Sequence, residues 1–308
     1  MRPTRSGILI VDKPAGATSF YMVGVLRRRL GVRRIGHAGT LDPAAVGVLP
    51  LLIGEATKLV PYLFDEDKEY VATIRFGVTT DSHDLTGRVI STAPVPPLTR
   101  DSLLVATRPF VGVIRQVPPM FSALHYEGRR LYDLARQGLE VAREAREVRV
   151  HSIDVEGVSE ATATVRIVCG RGTYVRVLAA DLGAALGCGG AVERLVRTRV
   201  GPFDRGQAIP ASDIAAAEAE AVWARTLPPE AALRRFGAVR LEAGLAVAFV
   251  HGQPVRIATS CTLPPGLVRV HDEGGTLLGV GEGIEGGQIV RPLRILHADL
   301  PGTRVLPV

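Results

Sequence analysis

Gly36-His37-Ala38-Gly39-Thr40-Leu41-Asp42-Pro43 runs on into Ala-Ala-Val-Gly-Val-Leu-Pro-Leu-Leu-Ile-Gly-Glu-Ala-Thr-Lys58. Two glycines precede a carboxylate that is held between an apolar residue and a proline. Read locally, Asp42 is a helix N-cap and Pro43 the first helical residue. Read chemically, Asp42 is a potential nucleophile. The segment alone leaves both readings open.

Outward from it, Ile8–Val11 is a short apolar run bounded by Gly7 and Asp12-Lys13-Pro14, which predicts a buried strand. Ser19 then caps a helix with Phe20, Val23, Leu26 and Leu30 on one face, stopped by Gly31. Its other face carries Arg27, Arg28 and Arg29, with Arg33 and Arg34 just beyond. Tyr70–Phe76 is rich in β-formers and predicts a strand that holds Tyr70 near its start. The polar stretch Thr79–Gly87 predicts a loop, in which Asp81, His83 and Asp84 act as loop caps rather than metal ligands.

Glu147–Val155 and Thr162–Val168 read as paired strands turning at Glu156-Gly157. Tyr174–Leu186 reads as an amphipathic helix ended by Gly187, and Asp213–Ala224 as a helix broken by Leu227-Pro228-Pro229. Strands and helices interleave without a regular βα repeat, so the expected class is α+β, with a mixed, largely antiparallel sheet. After Phe236 the composition shifts to glycine, valine and short β-type runs, which suggests a small barrel. At 308 residues two domains are expected, 1–235 and 236–308.

Composition narrows the function. The net charge of +6 suits a polyanionic partner. Six arginines and six acidic residues follow Phe236, so the whole surplus lies in residues 1–235. Cys169, Cys188 and Cys261 are far apart with no Cys-x-x-Cys, and the seven histidines are scattered, so neither a disulfide framework nor a metal site is expected. No Gly-x-Gly-x-x-Gly or P-loop appears, so no nucleotide cofactor is expected. No run is long enough to span a membrane and no signal peptide opens the chain, which reads as cytoplasmic.

The stretch 36–58 closely resembles the central motif of the TruB family, the tRNA pseudouridine-55 synthases. The likeness extends in order along the chain. It takes in Gly7–Pro14 with Gly16 and Thr18-Ser19, Asp67-Lys68-Glu69-Tyr70, Gln116–His125, Gly128–Gly138, Cys169–Arg176, Leu195-Val-Arg197 and Gly201-Pro202-Phe203. Residues 116–138 are similar to the RNA-facing insertion of that family. The segment after Phe236, whose pattern ends in Gly287–Ile295, is similar, more weakly, to the RNA-binding PUA domain found at the end of that family's proteins. Ala38, Val46, Phe121 and His125 depart from the usual threonine, threonine, tyrosine and lysine.

The resemblance implies a tRNA pseudouridine synthase acting on uridine 55 of the T-loop, without cofactor or metal, on the T-arm stem-loop. It implies a monomer with no obligatory protein partner. Asp42 would be the nucleophile, Arg176 its ion-pair partner, and Tyr70 a ring stacked on the target base. His37 would brace the space left by a flipped-out uridine, Leu195 would line the base pocket, and Lys13 would contact substrate or support its loop. Two other readings stand beside this one: a guide-RNA-dependent, dyskerin-like synthase, and a tRNA-binding or tRNA-folding module whose chemistry is dispensable.

Overall fold

In the computed structural model the described residues are 5–257, 263 and 266–296. Cys261 and residues 297–308 of the expected second domain lie outside them.

The larger of two main sheets has ten strands. Its path runs Ile209–Pro210, Gly7–Lys13, Val46–Ile53, Gly190–Val200, Lys68–Phe76, Thr162–Cys169, Arg146–Val158 and Gly112–Gln116, with Phe203–Asp204 and Ile35–His37 as side branches. Two pairings, Gly7–Lys13 with Ile209–Pro210 and Val46–Ile53 with Gly190–Val200, are parallel and the others antiparallel. This is the expected mixed, largely antiparallel α+β sheet.

The unbroken apolar run of the first strand follows from burial on both faces. Leu9 and Val11 enter one core, beneath helices Ser19–Leu30 and Val175–Ala185; Ile8 and Ile10 enter a second core on the opposite face. Val46–Ile53 divides the same way, with Leu49, Leu51 and Ile53 in the first core and Val48 and Leu52 in the second. Val46–Ile53, the strand that follows Asp42, therefore has a packed core on each face. Its position is fixed from both sides.

Helix Ser19–Leu30 differs from expectation in two ways. Thr18, not Ser19, is the N-cap, accepting from Tyr21 N at 3.0 Å, and Gly31 ends the helix at φ 65°. Ser19 is buried, and its hydroxyl accepts from Leu41 N at 2.9 Å and donates to Leu41 O at 3.3 Å. The buried stripe is Met22, Val23 and Leu26; Phe20 is 67% exposed. With Ser19 drawn inward, Phe20 one residue on is carried about 100° round the helix, out of the core.

Other boundaries moved for local reasons. Glu156-Gly157 is not a turn: it lies inside strand Arg146–Val158 at a bulge, and the reversal comes at Ser159, whose N–H bonds Thr162 O. The Asp213–Ala224 helix is two, Ala211–Ala216 and Ala219–Ala224, broken where Ala217 is extended. Ile214 and Val222 both reach the first core. Positions eight apart on one helix point about 80° away from each other, so the break lets both be buried.

Residues 237–295 form a second sheet, curled as a half-barrel, in the order Gly237–Leu241, Gly266–Asp272, Leu277–Ile284, Ile289–Ile295, Val255–Arg256. Here the reading of short β-type runs missed helix Ala243–Val250, whose Ala246, Phe249 and Val250 fill the half-barrel's own core. Leu277, Val280 and Leu296 belong instead to the second core of the larger sheet, with Ile8, Ile10, Val48 and Leu52. Among the described residues no helix is long and apolar enough to cross a membrane.

Candidate active site

No helix follows Asp42, which excludes the N-cap reading. Residues 41–45 are irregular, strand Val46–Ile53 begins directly, and Ala45 N closes a short turn onto Asp42 O at 3.1 Å. The strand lies against Gly190–Val200 so closely that a Cβ on Gly47 would come within 2.2 Å of Arg197 O. Only glycine fits there, and it also supplies the φ of 107°. This close approach brings Asp42 and Arg197 to the wall of one cavity.

The cavity measures about 690 Å³, and Asp42, Tyr70, Arg176 and Leu195 all line it. Arg176, in the first turn of helix Val175–Ala185, donates Nε to Asp42 Oδ2 at 2.7 Å, Nη1 to Ser82 O at 2.6 Å and Nη2 to Phe121 O at 2.7 Å. The Asp84 carboxylate stands 3.8 Å from the same Nε. All three guanidinium nitrogens are therefore committed, which fixes the plane of the group and aims it at Asp42.

Tyr70 lies near the start of its strand, paired with Ile167 on one side and Arg197 on the other. Burial raises its phenol pKa above the ordinary value, and the Arg197 guanidinium beside it, also hydrogen-bonded to it, opposes the rise. The ring stays protonated at neutral pH, half-buried beside the carboxylate. Leu195, 9% exposed, supplies apolar wall two residues before Arg197.

Lys13 and His37 are not among the lining residues. Lys13 is fully buried and its Nζ donates to Pro14 O at 2.9 Å, Ala17 O at 2.7 Å and Pro43 O at 3.2 Å. It ties two loops together behind Asp42. Burial lowers its pKa to about 8, with nearby Asp42 opposing and Arg197 assisting. His37 ends strand Ile35–His37, paired with Leu51. Its Nδ1 is buried without a hydrogen-bond partner, and desolvation, then Arg197, lowers its pKa, keeping the ring neutral.

Arg197 is the residue that sequence reasoning missed. It is 1% exposed, and its Nε donates to Val48 O at 2.8 Å, Nη2 to Gly39 O at 3.1 Å and Nη1 to Thr40 O at 3.4 Å. It grips the loop on the N-terminal side of Asp42 as Lys13 grips Pro43 on the other. Its presence in the Leu195-Val-Arg197 motif was the only available signal. Asp84 was read as a loop cap, and it is one, accepting from Thr86 N, Thr86 Oγ1 and Ser82 Oγ. What the sequence could not show is that the capped loop delivers Ser82 O to Arg176.

The His83 ring takes no part in this capping; its backbone, at φ 61°, bonds Thr80 O and Val192 N. Among the described residues no group of three or more histidine, cysteine, aspartate or glutamate side chains is placed to hold a metal. Cys169 and Cys188 are free and buried. Residues 116–138 flank the cavity. Gln116 accepts from Tyr174 N at 3.0 Å, Pro118, Ser122 and Leu124 line the wall, and a small separate hairpin presents His125, Arg129 and Arg130 to solvent. Phe121, one of the departures, contributes through its carbonyl, an atom indifferent to the side chain.

Three family models match the chain in succession. "TruB family pseudouridylate synthase (N terminal domain)" matches residues 27–175, "tRNA pseudouridylate synthase B C-terminal domain" 176–236, and "Pseudouridine synthase II TruB, C-terminal" 237–296. The tRNA pseudouridine synthase B of Dechloromonas aromatica (strain RCB) is 44% identical, over 94% of this chain and 95% of its own. That of Aromatoleum aromaticum is 43% identical, over 94% and 92% respectively. Among solved structures, a chain in the crystal structure of a Cbf5-Nop10-Gar1 complex superposes with a TM-score of 0.73 at 25% identity, over 94% of this chain and 85% of that one.

Proposed function

Because this chain belongs to the TruB family of pseudouridylate synthases, we propose that it isomerises uridine 55 in the T-loop of tRNA to pseudouridine, with Asp42 as the nucleophile. The observation that carries the reading is the Asp42–Arg176 pair in the cavity wall, with Tyr70 and Leu195 beside it. As a pseudouridine synthase the enzyme is an isomerase, and its C-terminal half-barrel is PUA-like.

The reaction breaks the bond from C1′ to N1, turns the uracil and joins C1′ to C5. The C5 proton then leaves and N1, freed from C1′, takes one up, so the product is an isomer of the substrate. No electrons or groups are transferred to a second molecule, so the requirements are an ionised carboxylate against the flipped nucleotide and a group to receive the proton. Arg176 orients the Asp42 carboxylate and complements its charge, because its own remaining donors are held by Ser82 O and Phe121 O. Tyr70 stacks on the uracil, and Leu195 excludes water from its other side.

A uridine in a folded loop must leave its stack, at a cost of a few kcal/mol recovered from stacking and phosphate contacts. His37, neutral and outside the cavity lining, braces the space that the flipped-out uridine leaves. Lys13, bonded to Pro14 O, Ala17 O and Pro43 O, supports the protein loop that carries Asp42. The domain division at 235/236 places the surplus positive charge in the unit that holds the cavity.

The test is chemical mapping of pseudouridine in an unmodified tRNA transcript after incubation with the protein alone. A single modification at position 55 is expected. Modification elsewhere would overturn the substrate assignment, and activity only with an added guide RNA would favour the guide-RNA-dependent, dyskerin-like alternative. Full rescue of a deletion strain by Asp42→Asn would favour the tRNA-folding reading.

A further inference from the structure

Phe20 and Tyr21 are 67% and 57% exposed, an adjacent aromatic pair at the start of an otherwise well-packed helix. Ser19, buried against Leu41, turns the helix so that Phe20 faces solvent rather than the core. Around the pair the surface is cationic. The Arg27 guanidinium carbon lies 5.8 Å from the Phe20 ring centroid, Arg28 is exposed about two turns on from Tyr21, and residues 19–34 contain no acidic side chain. Gly24, on the exposed side between Tyr21 and Arg28, leaves the surface low.

The pair is also fixed relative to Asp42. Ser19 Oγ is bonded to both the N–H and the carbonyl of Leu41, and Gly16 N donates to Pro43 O at 2.8 Å. Lys13 Nζ bridges Ala17 O and Pro43 O. Residues on both sides of Asp42 are thus tied to the segment that leads into Phe20.

We propose that Phe20, Tyr21 and the arginines beside them form a stacking platform for unpaired nucleotides of the same RNA whose uridine enters the Asp42 cavity. Exposed rings receive bases by stacking whatever their identity, and flanking arginines neutralise the backbone that connects them. An arginine-flanked aromatic pair on a segment without acidic residues suits a polyanion and disfavours an acidic-rimmed protein partner. The proposal rests on the RNA-modifying reading of the cavity, and deepens it by naming where the nucleotides beside the target lie. A flipped base leaves its neighbours unstacked, and an exposed aromatic pair on a segment tied to the Asp42 loop offers them a replacement.

The test uses the full-length protein with an unmodified tRNA transcript and with T-arm hairpins carrying 2-aminopurine at one loop position at a time. In Phe20→Ala/Tyr21→Ala we expect the Kd for tRNA to rise about tenfold with the salt dependence of log Kd unchanged. Arg28→Ala should weaken binding and reduce that salt slope by about 1. Phe20→Trp should retain wild-type affinity. At least one 2-aminopurine position should emit differently in wild type and in the double variant.

Affinity of the double variant within twofold of wild type, or identical emission at every position, overturns the platform. A change in sedimentation without a change in RNA affinity would assign the patch to a second copy of the chain and overturn it equally. Because binding and emission are read without turnover, these outcomes are separable from the mapping experiment. A wild-type protein that binds RNA through Phe20 yet modifies nothing would overturn the function and leave the platform standing.

Discussion

Arg176 and Asp42 meet 2.7 Å apart across the cavity wall with unequal burial: the arginine side chain is 4% exposed and the aspartate side chain 36%. The pair is asymmetric by construction. The cation is enclosed by Ser82 O and Phe121 O, while the carboxylate faces the space where a substrate would sit.

Asp42→Asn follows directly. Asparagine keeps the size of the side chain, no helix depends on Asp42 for a cap, and Arg176 keeps two carbonyl acceptors, so the variant should fold. An amide is a poor nucleophile and supplies no charge opposite Arg176, so isomerisation should vanish. RNA affinity should stay within about tenfold, roughly 1.4 kcal/mol, because phosphate contacts elsewhere carry most of it. Tritium release from C5-labelled uridine beside filter binding checks both, and substantial turnover in a folded variant would remove Asp42 from the chemistry.

Arg197→Lys should be costly despite keeping the charge. A single ammonium cannot reach Val48 O, Gly39 O and Thr40 O together, and each buried carbonyl left without a donor costs about 1–3 kcal/mol. Urea unfolding should show that loss. Turnover should fall at least tenfold as the Asp42 loop loosens; unchanged stability and rate would reduce Arg197 to a bystander.

Lys13 makes stability depend on alkaline pH. Its folded pKa of about 8 lies below the ordinary 10.5, so between those values the unfolded chain keeps a proton that the folded chain has lost. Its contribution to stability therefore rises with pH across that window, by up to something on the order of 3 kcal/mol. The stability difference between wild type and Lys13→Met should move in favour of wild type from pH 7.5 to 10.5. Lys68, shifted down to about 8 by its own burial, is present in both proteins and cancels. A difference independent of pH would show that the ammonium is not held at this value.

Ending the chain after residue 235 should leave a folded catalytic unit that still modifies a T-arm hairpin but is less stable. Leu277, Val280 and Leu296 cover part of the core under Ile8, Ile10, Val48 and Leu52, and Lys58 Nζ loses its bond to Ile295 O. Circular dichroism melting should report a lower Tm. Modification of the hairpin should survive with weaker binding to whole tRNA. A soluble, folded fragment with no activity on the hairpin would put the boundary in the wrong place.

Excess EDTA should leave turnover unchanged on RNA folded beforehand. Two carboxylates beside Arg176 are engaged otherwise: Asp84 caps its loop, and Asp42 pairs with Arg176. Loss of activity that zinc restores, with the RNA fold unaltered, would contradict this.

Much of the candidate site was legible in the sequence. Asp42, Tyr70, Arg176 and Leu195 stand in motifs whose order along the chain resembled one family, and the structure brings all four to one cavity. The class of the large sheet was legible for a simpler reason. Alternation and apolar runs record which faces are buried, as in Ile8–Val11, where each successive residue enters a different core.

Other features depend on partners remote in sequence, and local patterns carry no trace of them. Asp42-Pro43 looks like a helix start until Val46–Ile53 is drawn into the sheet beside Gly190–Val200. Arg197 looks like any strand arginine until its guanidinium meets carbonyls about 150 residues away. Phe20 fits the apolar periodicity, yet Ser19 fixes the helix by bonding Leu41 and turns that ring to solvent. The sequence determined which residue types were available for the chemistry and which strands were buried. Only tertiary packing decided which buried cations grip the Asp42 loop and which aromatics stay outside, because a buried polar group must find its partner wherever the fold supplies one.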